Sequence, residues 1–251
     1  MKIFWGAIAA GVLVTNLSAR AAVVTVIAAG GIEAALNHMT PGFKTATGHD
    51  IKVTYGPGGT TKNTILGGER FDVVIVQSPY PEMLNTPHVD ARSETPLGSI
   101  QLAVVVRKDA PRPDISTPSA VKKMLLDARL IVYPNPASGA DAGLSFNDTL
   151  ARLGIAATIA PKTRLGEVYN RSMAILARGE ADIGVTYITE VTEPGVEVVG
   201  PLPLEISTPT ALTAFLAAKP IEPAAARALV NYMSRADAIP LYKSLRMLPP
   251  Y

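Results

Sequence analysis

Val23-Val24-Thr25-Val26-Ile27-Ala28-Ala29-Gly30-Gly31-Ile32 is the stretch from which the rest of the chain can be read. The β-branched run Val23–Ala28 has the character of a buried strand, and it ends at Gly30-Gly31. Ile32, Leu36, Met39 and Phe43 then recur near helical spacing. Ile51–Tyr55 gives a second strand, closed by Gly56-Pro57-Gly58-Gly59. Thr60–Leu66 suits a short helix and Asp72–Val76 a third strand. Strand, helix, strand, helix, strand implies a parallel sheet with helices on its faces.

A second unit of the same kind follows. Gln101–Val106 reads as a strand, and Ala110-Pro111-Arg112-Pro113 as a rigid turn. Thr117-Pro118 opens a helix, with threonine as N-cap and proline at the first position. Leu130–Tyr133 is a strand, Ala142–Leu153 a helix ended by Gly154, Tyr169–Arg178 a helix closed by Gly179, and Ile183–Thr186 a strand. The C-terminus is helical over Ala224–Met233 and again around Asp237–Leu245. No internal repeat is evident.

Upstream of Val23 the composition changes. Lys2, an apolar run from Ile3 to Val14, and Ala19-Arg20-Ala21 follow the grammar of a cleavable secretory signal over residues 1–21. A membrane anchor needs ~20 apolar residues, and Thr15, Asn16 and Ser18 interrupt this run. Without the leader, basic and acidic side chains balance at 21 each. That balance offers no reason to expect a nucleic acid or an anionic membrane as partner. The chain has no cysteine, which excludes disulfides, thiolate metal sites, a cysteine nucleophile and a lipid anchor. A soluble periplasmic protein, expected to be monomeric, is the natural reading.

Three segments share one form, a buried strand followed by a small-residue turn and a helix start: Ala29-Gly30-Gly31, Gly56–Thr61, and Ser138–Gly143. The first N–H groups of a helix lack intrahelical partners and carry partial positive charge, so such a point suits an anion. Any one of these is as readily a simple tight turn. Three at the carboxyl ends of parallel strands favour a ligand crevice. Gly56-x-Gly58 lacks the third glycine of a dinucleotide fingerprint, and Gly59–Asn63 lacks the Gly-Lys-Ser/Thr of a phosphate loop. His38, His49 and His88 have no ligand spacing, so neither a metal nor another cofactor is expected. No nucleophile elbow is present. Glu180 and Asp182 read as a solvated cap.

The same turns resemble those of periplasmic solute-binding proteins of the molybdate-binding-like family, which have a type 2 periplasmic binding fold. Val24–Gly31 is similar to their first strand and ligand loop. Thr47-Gly48-His49-Asp50-Ile51-Lys52-Val53 resembles their second strand, and Tyr55–Gly59 stands where they carry Gly-Ser-Ser-Gly. Phe71–Ile75 resembles their next strand, and Arg178–Tyr187 their Arg-Gly-Glu-Ala-Asp segment. Val199–Pro203 also resembles part of that group.

The resemblance implies two α/β lobes, each a mixed, mainly parallel sheet flanked by helices, with the ligand between them. Residues 22–102 and 208–251 would form lobe 1 and residues 103–207 lobe 2, with crossings near Leu102–Ala103 and Glu205–Ser207. It further implies capture of a small anionic ligand, with closure recognised by the membrane component of an ABC transporter. Family ligand positions fall on Gly31, Gly58, Ala142 or Gly143, Tyr169 and Tyr187; the neighbouring turns add Gly30, Gly59, Thr60, Thr61 and Ser138. Where molybdate binders place serine, this chain has Gly31 and Gly58. That is expected to enlarge the pocket, leaving a molybdate-like oxyanion or an organic di- or tricarboxylate as the ligand; Lys62 or Arg171 would be a charged partner for a carboxylate, though either reads more readily as a solvated helix-face residue. Aconitate isomerases resemble the same family, which leaves a periplasmic isomerase as the alternative. It would need a general base, and Glu33, Asp141 and Glu167 lie near the loops. No catalytic residue is assigned.

Overall fold

The computed structural model describes residues 20–166 and 171–250. The first sheet is built from β1 (Val23–Ala29), β2 (Asp50–Gly56), β3 (Val73–Gln77) and β4 (Thr95–Ile100), with α1 (Glu33–Thr47), α2 (Gly58–Leu66) and the short α3 (Pro81–Leu84) between them. A single residue, Gln101, then separates it from the second sheet. That sheet contains β5 (Leu102–Arg107), β6 (Ile131–Pro134), β7 (Thr163–Gly166), β8 (Ile183–Tyr187) and β9 (Val196–Pro201). Its helices are α4 (Pro118–Asp127), α5 (Asp141–Arg152), α6 (Ala156–Ile159) and α7 (Arg171–Ala177). The chain returns as β10 (Thr210–Leu216) and finishes with α8 (Pro223–Ser234) and α9 (Ile239–Ser244).

The sheets have orders β2-β1-β3-β10-β4 and β7-β6-β8-β5-β9. In each, three parallel strands are followed by one antiparallel strand, β10 or β5, and a fifth pairs against that. Both antiparallel strands come directly after a crossing between lobes. The crossing expected at Leu102–Ala103 falls one residue earlier, because both of those residues already pair with β8.

Local chemistry explains the main elements. All five residues of β3 are buried, as its unbroken apolar run requires of a central strand covered on both faces. α1 buries Ala35, Leu36, Met39 and Phe43, and Gly48 (φ 73°) ends it in a left-handed turn that donates to Lys44 O. Thr117 caps α4 through Ala120 N, as its sequence position predicts. Phe43 meets Tyr232 of α8 edge-on at 5.5 Å, which holds the C-terminal helix on the first lobe.

Asp72, fully buried, completes that attachment. Its carboxylate accepts from Thr25 N (2.8 Å), Thr25 Oγ1 (2.7 Å), Ile221 N (2.6 Å) and Glu222 N (2.8 Å). Burial opposes the charge, but those donors outweigh it and hold the carboxyl below the usual aspartate range.

Candidate functional site

The βα turns converge where the two lobes face each other. Pro57 and Gly58, at the start of α2, and Gln77, at the end of β3, line one side of an enclosed cavity. Pro134, the α5 start at Ala140-Asp141-Ala142, Ser172 and Met173 of α7, and Thr186 and Glu190 past β8 line the other. The free volume of about 20 Å³ is room for roughly one water. Direct bonds join the lobes around it. Gly59 N donates to Gly139 O at 2.9 Å, Lys62 Nζ pairs with Asp141 Oδ2 at 3.2 Å, and the Tyr187 and Thr210 hydroxyls meet at 2.8 Å.

Glycine permits this approach. A Cβ on Gly58 would overlap Asp141 Oδ2 and come within 2.5 Å of Gln77 Oε1, while one on Gly31 would lie 2.8 Å from Gln77 Nε2. The two family ligand positions thus bracket a single amide. The space expected to open there is taken by Gln77 and Asp141.

The polar groups are unevenly satisfied. Gln77 is 1% exposed, and its Nε2 has no hydrogen-bond partner among the described residues. Asp141 Oδ2 also lacks one; Lys62 Nζ reaches Oδ1 at 3.3 Å and Oδ2 at ion-pair distance only. Burial pushes the Asp141 carboxyl up, and Lys62 only partly opposes that rise. Glu190 is the more perturbed acid. Burial pushes it up to about 8, the Asp141 and Glu33 charges add to the rise, and the Thr186 hydroxyl (3.3 Å) and Gln77 oppose it. Gln77 faces Glu190 without completing a hydrogen bond. At neutral pH Glu190 is therefore mainly a neutral acid, able to donate.

Of the residues named from sequence, Gly58 and Ala142 line this cavity. Gly30 lines an adjoining recess of about 220 Å³ that shares Glu190 and contains Glu33. Gly59 and Thr60 pack on Gly139 across the lobe boundary. Thr61 is buried and bonds Gly56 O, and Ser138 bonds Asn135 O. Gly143 packs on the backbone of Pro134. Tyr187 is buried, with its hydroxyl on Ser145 (2.9 Å) and Thr210. Of the two proposed cations, Lys62 is at the cleft and Arg171 is exposed. Tyr169 and Glu167 lie outside the described residues, as does nearly all of the proposed signal, residues 1–19. Glu180 pairs with Arg164 and Arg178, and Asp182 with Arg129.

Sequence reasoning missed Gln77 and Glu190. Gln77 had a signal, a polar residue ending a wholly apolar parallel strand. Glu190 had none, because its burial arises from the opposing lobe.

This arrangement defines a class, a two-lobed α/β protein with a polar site closed between its lobes. A family model for bacterial extracellular solute-binding proteins matches residues 24–244, and the chain belongs to that family. It is 30% identical over 222 residues to an aconitate isomerase from Pseudomonas sp., covering 86% of this chain and 83% of that one. It is 25% identical over 207 residues to the molybdate-binding protein ModA of Escherichia coli K12, covering 81% and 80%. The periplasmic molybdate-binding protein of Azotobacter vinelandii superposes with a TM-score of 0.75 at 21% identity, over 91% of this chain and all of the other. The fold is the type 2 periplasmic-binding-protein fold, and the relationship is to the molybdate-binding-like branch. Among the described residues no helix is long and apolar enough to cross a membrane.

Proposed function

We propose that this chain is a periplasmic receptor that closes around a small organic carboxylate and presents it to an ABC transporter. One arrangement carries the ligand class: Gln77, Asp141 and Glu190 line the same cavity, and Lys62 reaches it through its pair with Asp141, so that the Gln77 amide, a Glu190 kept neutral by burial and Lys62 are its donors. Each of the three donates a hydrogen bond, and a carboxylate accepts several at once. A tetrahedral oxyanion would find Gly31 and Gly58, with Gln77 and Asp141 packed against them, where molybdate binders place serine hydroxyls. The cavity is too small for a di- or tricarboxylate as it stands, so binding requires the lobes to part or Asp141 and Gln77 to swing aside.

A second reading is favoured by the same acids and by the Pseudomonas relative. An alkene tricarboxylate isomerises when a carboxylate oxygen removes a proton from the methylene carbon. The double bond then shifts by one position, and a carboxylic acid returns a proton to the former vinyl carbon. Asp141 and Glu190, both held above the usual carboxylate pKa range by burial, suit that exchange. Incubation with cis- or trans-aconitate separates the readings. A rise in melting temperature with the isomer unchanged supports the receptor; interconversion supports the isomerase. A rise with tungstate or sulfate and none with any carboxylate would overturn both.

A further inference from the structure

Asp72 and Asp141 are both buried aspartates, yet only one is built into the fold. Asp72 accepts four hydrogen bonds from three residues. Asp141, with 4% of its side chain exposed, has only Lys62 among the described residues, and one of its oxygens has no hydrogen-bond partner among them. A buried carboxylate left in that condition is costly to the fold. It also lies against Gly58, the first residue of the nine-residue helix α2, whose N-terminal amides suit an anion. Gln77 Nε2, buried and without an acceptor among the described residues, lies on the Gly31 side and Oε1 on the Gly58 side, and a half-turn of the amide would bring its donor to Gly58. Lys62 has a second bond to Pro79 O at 3.0 Å, which fixes its ammonium at this spot whether or not Asp141 is there.

We infer that Gly58, Lys62 and Gln77 form a carboxylate subsite in the first lobe, and that Asp141 of the second lobe fills it until a ligand carboxylate displaces it. The inference rests on the organic-acid reading and deepens it. Asp141 acts as an internal competitor: its carboxylate stands where the ligand's belongs and has the same charge and planar shape. Ligand entry exchanges one carboxylate–lysine contact for another, and the displaced Asp141 moves toward solvent as the lobes part. A carboxylate then has a double advantage over a tetrahedral oxyanion, because the space that Asp141 vacates is that of a flat, two-oxygen group.

The test is a set of titration-calorimetry measurements with cis-aconitate and citrate, and tungstate as the tetrahedral control. Asp141→Asn keeps the shape but weakens the competitor, and it is expected to tighten carboxylate binding about 10-fold, the worth of a charge-assisted bond no longer broken. Lys62→Met by itself leaves Asp141 buried and unpaired and risks misfolding. Lys62 is therefore assayed in the Asp141→Asn background, where loss of the ammonium should weaken binding about 10- to 100-fold. Weaker binding by Asp141→Asn overturns the inference, because Asp141 would then itself hold the ligand; so does indifference to Lys62→Met in the double variant. Binding of carboxylates by the unaltered protein with either of those results leaves the organic-acid reading standing. Failure of the unaltered protein to bind any carboxylate removes the reading and the inference together.

Discussion

The two lobes have one architecture and opposite cleft chemistry. Three parallel strands, an antiparallel fourth and a fifth beyond it are common to both sheets. Yet the first lobe brings glycines, an amide and a lysine to the cleft, and the second brings two acids and a threonine. The first lobe's own buried acid, Asp72, lies away from the cleft and is fully bonded. The second lobe's acids, Asp141 and Glu190, are at the cleft and incompletely bonded. The shared scaffold sets where groups meet, and the turns alone decide what meets.

The sharpest way to break that contrast is Asp72→Asn. One oxygen becomes an NH₂ facing the donors of Thr25, Ile221 and Glu222, so clashes between donors replace bonds. A loss of about 3–5 kcal/mol is expected for a buried group left so mismatched. The melting temperature should then fall by roughly 2–4 °C per kcal/mol, with ligand affinity unchanged in the fraction that stays folded. The wild-type pH profile carries the same information. Asp72 is held below its ordinary value, so its contribution is present above the unfolded pKa and is lost as pH falls through the folded one.

Gly59→Ala probes closure in place of folding. Its Cβ would lie 2.9 Å from Gly139 Cα and 3.0 Å from Gly139 O, both backbone atoms of the opposite lobe. Overpacking of this kind costs about 1–3 kcal/mol. Here the lobes can relieve it by opening, so small-angle scattering should show a wider particle and calorimetry a weaker ligand. Gly143→Ala is the control within one lobe, since its Cβ would overlap Pro134 O and cannot be relieved by opening. It should lower the melting temperature with no effect on shape. If the two variants behave alike, the distinction between closure and folding fails.

Glu190→Gln turns on pH. Glu190 is raised to about 8, so its favourable state is complete below the unfolded glutamate pKa and is lost as pH rises through about 8. Glutamine never ionises, so the variant should match wild type in stability near pH 4 and exceed it at pH 9 by roughly 1–3 kcal/mol for a desolvated charge, read as a higher melting temperature. Wild-type affinity for a carboxylate should weaken over the same alkaline range, while the variant's stays level. An equal response of both proteins to pH would show that Glu190 does not titrate at the cleft.

Much of this contrast was legible beforehand, and the exceptions are physical. The β-branched runs of β1 and β3 and the capped start of α4 announced themselves. β4 did not, because Pro96 and Gly98 hide it; Gly98 has φ 144° and admits Leu248 O where a side chain would stand. β10, Thr210–Leu216, is rich in alanine and leucine and has no strand signature of its own. It becomes a strand by lying between β3 and β4. The glycine turns were readable as converging at a crevice, and they meet at the lobe boundary. Asp141 was readable as an acid near those loops, but Glu190 and the burial of both were not, since burial by a partner lobe leaves no trace in local pattern.

Tyr187→Phe should give the smallest effect, and it tests where the contrast ends. The hydroxyl joins Ser145 of α5 to Thr210 at the start of β10, so it links the second lobe to the strand re-entering the first. Without it, Ser145 and Thr210 still meet each other at 3.4 Å. A stability loss of about 1 kcal/mol is expected for one buried hydrogen bond, with the chain still folded. Affinity should weaken by only ~2- to 5-fold, a change of under about 1 kcal/mol, because the hydroxyl secures the returning strand and lies outside the proposed subsite of Lys62 and Gln77. A loss of affinity beyond ~30-fold, more than a neutral hydrogen bond within the protein supplies, with melting temperature unchanged, would place the phenol on the ligand itself. The second lobe would then bind the ligand through a phenol as well as its acids and threonine, and the division of chemistry between the lobes would have to be redrawn.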